Sequence, residues 1–210
     1  MIAPHDITGM VLAGGRGTRM GGADKGLQPF RATPLALHAL DRLRPQVGHV
    51  LINANRNLER YAAFGAPVWP DTTPGYPGPL AGFLCGLTHC TTPWLLTVAC
   101  DTPLFPADLA QRLAAAATTG NALIAMAAAP APQADGAVRL HNQPVFCLLH
   151  ASLRASLQHF VDAGGRKAGL WIGAQRCAVA AFDRPGDNAL AFCNANTLAE
   201  LQALEDGSPA

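Results

Sequence analysis

Charge is sparse in this chain of 210 residues: 14% are Asp, Glu, Lys or Arg, and the formal net charge is +1. A nucleic-acid binder usually presents a strongly basic face, so that class is set aside. Long hydrophobic runs are missing as well. Although 50% of residues are hydrophobic, the apolar stretches are short and broken by Pro, Gly or charge, so no transmembrane helix is expected. Pro4, His5 and Asp6 stand where a signal peptide would need a basic start and an apolar core, and the expected compartment is the cytoplasm. Cys85, Cys90, Cys100, Cys147, Cys177 and Cys193 form no CxxC and no zinc-type pairing; several lie in apolar runs, as reduced core thiols do. The histidines form no pair at ligand spacing. Without a leucine-rich seam, heptad or repeat, a monomer is expected.

What the chain does have is concentrated between Leu12 and Leu27, LAGGRGTRMGGADKGL, directly after the apolar run Ile7 to Val11. Glycines there let backbone N–H groups approach an anion closely, and Arg16, Arg19 and Lys25 add positive charge. A strand leading into such a loop is a site for nucleoside phosphates. It is not a Walker A loop, because Gly26 follows Lys25 where Ser or Thr would hold magnesium. It is not a dinucleotide fingerprint either, because Met20 occupies the third glycine position.

Apolar runs and turn residues alternate along the chain. Strands are expected near Ile7–Ala13, Val47–Asn53, Ala66–Trp69, Trp94–Cys100, Ala122–Ala128, Gln143–Leu149 and Arg176–Phe182. Helices are expected near Pro34–Leu43, Asn57–Phe64, Leu80–His89, Pro106–Ala117, Ala151–Ala163 and Thr197–Leu204, the last capped by Asn196 or Thr197. The Pro/Ala-rich piece Ala127–Ala137 reads as a flexible connection. This alternation predicts one α/β domain over residues 1–204, with a mostly parallel sheet, helices on both faces, and a frayed tail over 205–210. Ligands of such sheets collect beyond the carboxyl ends of the strands, where Asn53, Asp71, Asp101 and the glycine loop all fall.

Each of these residues has two readings. Asp101 follows the apolar strand Leu95–Cys100 and precedes Thr102-Pro103; its carboxylate either holds magnesium against a triphosphate or caps the turn. Asp71 opens DTTPGYPGPLAG and either caps that loop or contacts the nucleoside. Asn53, in NANR, can both donate and accept hydrogen bonds and so could read a base edge. Pro79, Leu80, Ala81 and Gly82 start a helix with small residues, leaving room for a flat base or a phosphate.

Taken in order, LAGGRGTRMGGADKGL, NANR at Asn53–Arg56, Asp71, YPGPLAG at Tyr76–Gly82, CDTP at Cys100–Pro103 and NANTLAEL at Asn194–Leu201 resemble the bacterial molybdenum cofactor guanylyltransferases. GGADKG discriminates best, because general sugar nucleotidyltransferases keep the glycines and a lysine but not this run. The resemblance implies a single Rossmann-like domain of nucleotidyltransferase type. It also implies transfer of GMP from GTP to the terminal phosphate of molybdenum-molybdopterin, releasing pyrophosphate. Carried onto this sequence, Leu12, Ala13 and Gly14 would meet GTP through their backbone, and Lys25, Asn53, Asp71 and Asp101 would also contact it, with Mg2+ on Asp101 and Pro79–Gly82 framing the guanine. The pterin's phosphate is already ionised near neutral pH, so the catalytic task is positioning and charge cancellation, assigned to Arg19, Lys25 and Asp101.

Arg166, Lys167, Asn194 and Asn196 are candidates for the pterin side, with helix capping and solvated charge as the competing readings. HNQPVF at His141–Phe146 matches no family motif. Besides GTP and molybdenum-molybdopterin, a molybdenum-insertion protein or an enzyme-specific chaperone is a candidate partner. The competing functions are a cytidylyltransferase on the same cofactor, a sugar-phosphate nucleotidyltransferase, and a nucleotide-binding regulatory module without catalysis. LAGG and GPLAG favour guanine over cytosine, and retention of Asp101 and Lys25 disfavours the module.

Overall fold

A computed structural model of the chain describes residues 1–15, 24–72, 78–133 and 136–207. Nine strands are described: β1 (Ile7–Leu12), β2 (Pro29–Phe30), β3 (Thr33–Pro34), β4 (His49–Asn53), β5 (Val68–Trp69), β6 (Trp94–Ala99), β7 (Ile124–Pro132), β8 (Val138–His150) and β9 (Cys177–Ala181). The α-helices are α1 (Leu35–Leu43), α2 (Leu58–Ala62), α3 (Pro79–His89), α4 (Leu109–Thr119), α5 (Arg154–Asp162), α6 (Ala168–Gly173) and α7 (Leu198–Glu205). Seven strands form one sheet in the order β5-β4-β1-β6-β8-β7-β9, and β2 and β3 form a separate hairpin. Only β8 runs against its neighbours, so the sheet is mostly parallel.

Side-chain alternation along the strands serves both faces. On one face Ile7, Val11, Ile52, Leu96 and Val98 pack under α1 and α4 through Ala36, Leu40, Leu43, Leu109 and Leu113. On the other, Met10, Leu51, Leu95, Ile124 and Cys147 meet Phe83, Leu84 and Leu87 of α3, Leu157 of α5 and Trp171 of α6. Burial of this kind contributes about 1.5–3 kcal/mol per large side chain. Phe30, Leu35, Ala195, Leu201 and Leu204 join the small hairpin and α1 to α7, closing the chain's end over its beginning. No helix among the described residues is long and apolar enough to cross a membrane.

Two expectations need correction. Within Ala127–Ala137, residues 127–132 are strand rather than a loose connection: β7 continues to Pro132 and pairs with β8 as far as Pro132↔Val138, and residues 134–135 lie outside the described residues. The prolines are tolerated because β9 stops pairing at Ala128↔Ala181, leaving Pro130 and Pro132 with one neighbouring strand. HNQPVF lies in β8, where the register shifts between Met126 and Ala127 and Thr97 Oγ1 donates to Val145 O at 2.6 Å. The helix α6 was not expected at all; its Gly-rich, short sequence lacks a repeating stripe, and burial of Trp171 holds it in place. Of the tail, Glu205 still belongs to α7, and residues 208–210 lie outside the described residues.

Candidate active site

The carboxyl ends of four strands stand side by side. Leu12 is in register with Asn53 and with Ala99, and Asn53 with Trp69. The ladder continues one residue further, with Ala13 N donating to Asn53 O at 2.8 Å and Cys100 N to Leu12 O at 3.1 Å. The chain crosses from one side of β1 to the other here, so the order reverses at β1 and opens the crevice where α/β sheets bind ligands. Leu12, Ala13, Gly14, Asn53, Asp71 and Asp101 thus share one rim.

At the β4–β5 end, Asp71 is held by amides from NANR. Asn53 Nδ2 donates to Asp71 Oδ1 at 3.0 Å and to Trp69 O at 3.1 Å, and Asn55 Nδ2 donates to Asp71 Oδ2 at 2.7 Å. The Asp71 N–H returns a bond to Asn55 Oδ1 at 2.8 Å, and Asn55 also reaches Gly14 O at 3.1 Å. Asn53 is only 3% exposed, so its amide builds the rim under Asp71 and Gly14 and leaves Oδ1 as its remaining acceptor. Asn55 is the residue that reading the motif passed over; its place two residues after Asn53, at a strand end, was the available signal. The start of α3 closes in from above. A Cβ on Gly82 would stand 2.6 Å from Leu12 Cδ2 and 3.0 Å from Asn53 Oδ1, which explains the small residue there.

At the β6 end, Lys25 Nζ donates to Asp101 Oδ2 at 2.6 Å and to Asn196 Oδ1 at 2.9 Å. The Lys25 and Asp101 side chains are 17% and 22% exposed, so the pair is largely shielded. The segment before α7 is tied to the same point: Ala195 N donates to Asp101 O at 2.8 Å, and the buried Thr102 hydroxyl donates to Asn194 Oδ1 at 2.6 Å. Thr197 caps α7 in a reciprocal box with Glu200, whose Oε2 also accepts from Asn196 N at 2.5 Å. Asn194 and Asn196 therefore stand beside Asp101, held by Thr102 and Lys25. Arg166 and Lys167 do not share that segment; they are exposed on the connection between α5 and α6, in the layer of α3, and Arg166 Nη1 donates to Gly165 O. Arg19 and Tyr76 lie outside the described residues.

Beneath this rim the thiol of Cys100 is buried, and burial pushes it well above its ordinary range. Cys85, which donates to Pro70 O at 3.4 Å, is pushed up to about 11 by burial, with the nearby Asp71 charge adding to it. Both remain neutral thiols near pH 7, as buried structural cysteines do. All six cysteines are free, as expected of reduced core residues. Among the described residues no three His, Cys, Asp or Glu side chains cluster to hold a metal by themselves. Among the described residues, Asp101 Oδ1 has only the Thr102 hydroxyl near it, at 3.4 Å, which leaves a carboxylate oxygen for a hard cation sharing its other ligands with phosphate.

The sequence profile of the MobA-like NTP transferase domain matches residues 9–178, a span containing the glycine loop, the asparagine–Asp71 network and Asp101. The chain belongs to this family. It is 66% identical over 206 residues to a protein of Acidovorax ebreus named molybdenum cofactor guanylyltransferase, covering 98% of each chain. A protein of the same name from Albidiferax ferrireducens is 60% identical over 208 residues, covering 98% of this chain and 99% of the other. In fold, this MobA-like chain is similar to the crystal structure of molybdopterin-guanine dinucleotide biosynthesis protein A from Archaeoglobus fulgidus. That match has a TM-score of 0.72 at 17% identity, over 95% of this chain and 97% of that one. The α/β nucleotidyltransferase architecture expected from the sequence is the one observed.

Proposed function

We propose that this MobA-like enzyme transfers GMP from GTP to the terminal phosphate of molybdenum-molybdopterin, releasing pyrophosphate and forming the guanine dinucleotide cofactor. The observation that carries the reading is the pairing of Lys25 with both Asp101 and Asn196 on the rim that also holds Asp71. One ammonium there adjoins a carboxylate suited to the nucleotide's metal and an amide suited to the acceptor.

Leu12 O already accepts from Cys100 N and Gly14 O from Asn55, so their remaining lone pairs, with the Ala13 carbonyl and Asn53 Oδ1, are the acceptors for the N1–H and exocyclic amine of guanine, against Pro79, Leu80, Ala81 and Gly82. Asp71, immobilised by two asparagines, orients the nucleoside. Mg2+, when bound at Asp101, supplies charge neutralisation at the phosphates. Lys25 and Arg19 offset the charge that moves onto pyrophosphate as the acceptor phosphate attacks the α-phosphorus in line. The acceptor phosphate is ionised near neutral pH and needs no general base. Asn194 and Asn196, fixed by Thr102 and Lys25, hold the pterin side; Arg166 and Lys167, on the α5–α6 connection in the layer of α3, do not join them there.

A nucleotide panel tests the assignment. With Mg2+ and molybdopterin, pyrophosphate release and calorimetry are compared for GTP, ATP and CTP. Adenine has no N1–H donor, so acceptors on the rim would go unpaired at about 1–3 kcal/mol per group. GTP is therefore expected to exceed ATP in affinity by about tenfold or more. Equal binding of all three would show that the site grips only the triphosphate.

A further inference from the structure

The motif letters Asp24-Lys25-Gly26 receive different physical explanations once Tyr61 is placed. Tyr61 lies on α2, fully buried in the core layer that also contains Ala13, Leu27 and Cys100. Its hydroxyl donates to Asp24 Oδ1 at 2.6 Å. The other oxygen, Asp24 Oδ2, accepts from Asn57 Nδ2 at 2.8 Å, so both ends of the carboxylate are tied to the α2 segment. The Asp24 carbonyl in turn anchors the tight turn carrying Lys25, accepting from Leu27 N at 3.2 Å and Gln28 Nε2 at 3.3 Å. A Cβ on Gly26 would fall on the Tyr61 hydroxyl oxygen, so the glycine leaves the space that the phenol occupies. Lys25, between these two fixed residues, leaves the turn toward Asp101.

A buried phenol 37 positions along the chain is not needed merely to satisfy the half-buried Asp24 carboxylate, which water could do. A phenol donating to a carboxylate makes a strong charge-assisted bond, and burial raises the phenol's own proton affinity, so it stays a donor. We propose that Tyr61 is a positioning residue for Lys25: through Asp24 it sets where the turn begins, and hence where the ammonium stands relative to Asp101 and the bound phosphates. This rests on the reading of Lys25 as a phosphate contact given above.

The test is a double-mutant cycle of Tyr61→Phe with Lys25→Ala, read by kcat, KM for GTP, GTP affinity by calorimetry and thermal melting. Tyr61→Phe keeps the ring and removes only the hydroxyl. In the native background it is expected to lower kcat/KM about tenfold, chiefly in kcat, and to weaken GTP binding, while the protein melts as a single folded species. In the Lys25→Ala background the same change is expected to alter both readouts less than twofold. An equal loss in both backgrounds, or no loss in the native one, overturns the proposal. If Tyr61→Phe does not accumulate folded, Asp24→Asn is put through the same cycle with the same two outcomes. Wild-type turnover in the nucleotide panel reports on the guanylyl reading separately, and the calorimetric arm decides the role of Tyr61 even where turnover is absent.

Discussion

Lys25→Ala separates what the lysine does for the folded protein from what it does for the reaction. In the resting protein its ammonium meets Asp101 Oδ2 at 2.6 Å and Asn196 Oδ1 at 2.9 Å, with both charged side chains mostly but not wholly shielded. A partly exposed pair of this kind contributes about 1 kcal/mol, well below the figure for a fully buried one, since water can reach the carboxylate that remains. For a domain of this size that is about 2–4 °C in Tm. In the reaction the same ammonium faces charge that grows on the leaving pyrophosphate. Removing one preorganised donor from such a position costs about 2.7–4 kcal/mol, or about 10²–10³ in kcat. The two figures differ enough to be told apart by one thermal melt and one continuous assay of pyrophosphate release on the same sample. A drop in kcat below threefold for the folded protein, with the melt shifted, would refute the reasoning and leave Lys25 as a tie between the glycine loop and the segment before α7.

Asp101→Asn keeps shape without charge, and is expected to lower turnover by several kcal/mol of barrier while GTP binding survives in part; near-normal rates at saturating Mg2+ in the pyrophosphate assay would remove it from the metal role. Gly82→Ala places a methyl against Leu12 and Asn53 Oδ1, so about 1–3 kcal/mol of overpacking is expected, together with weaker GTP binding by calorimetry because Asn53 supports Asp71. Arg112 Nη1 donates to Asp187 at 2.8 and 3.0 Å, and its guanidinium lies 3.9 Å from the Phe182 ring centre, clasping the segment after β9 to α4. The bond from Arg112 holds the Asp187 carboxyl below its ordinary range, so its stabilising contribution is complete above pH 3.8 and is lost as pH falls through the lowered value. Asp187→Asn should therefore lower Tm at neutral pH and flatten the acid limb of a Tm-against-pH curve, and an unchanged acid limb would exclude the clasp.

Much of the architecture was legible from local patterns. The expected strands at Ile7–Ala13 and Trp94–Cys100 and the helix at Leu80–His89 are found as β1, β6 and α3 within a residue or so at either end. Apolar period and turn residues act over a few positions, and so are readable without knowing what packs where. The stretch of β7 from Ala127 to Pro132 was misread because proline's local preference was weighed without knowing that the strand has a free side there. The helix α6 escaped because its stability comes from a buried tryptophan rather than from its own sequence pattern.

The site divides in the same way. Sequence alone determined which residue types were present for phosphate chemistry: glycines after a strand, a lysine, carboxylates and asparagines at strand ends. It also determined that they would gather on the carboxyl rim, because a parallel sheet puts all such ends on one side. Only the tertiary structure decided who touches whom. Lys25 reaches Asp101 across 76 positions and Asn196 across 171, and Asp24 finds Tyr61 across 37. Such pairings follow from strand order and from the closure of α7 over the small hairpin, quantities to which no residue's neighbours in the chain contribute. That is why Asp101 could be picked out by its local setting, whereas Tyr61, an ordinary aromatic on a short helix, acquires a role only when the fold places its hydroxyl under the turn of Lys25.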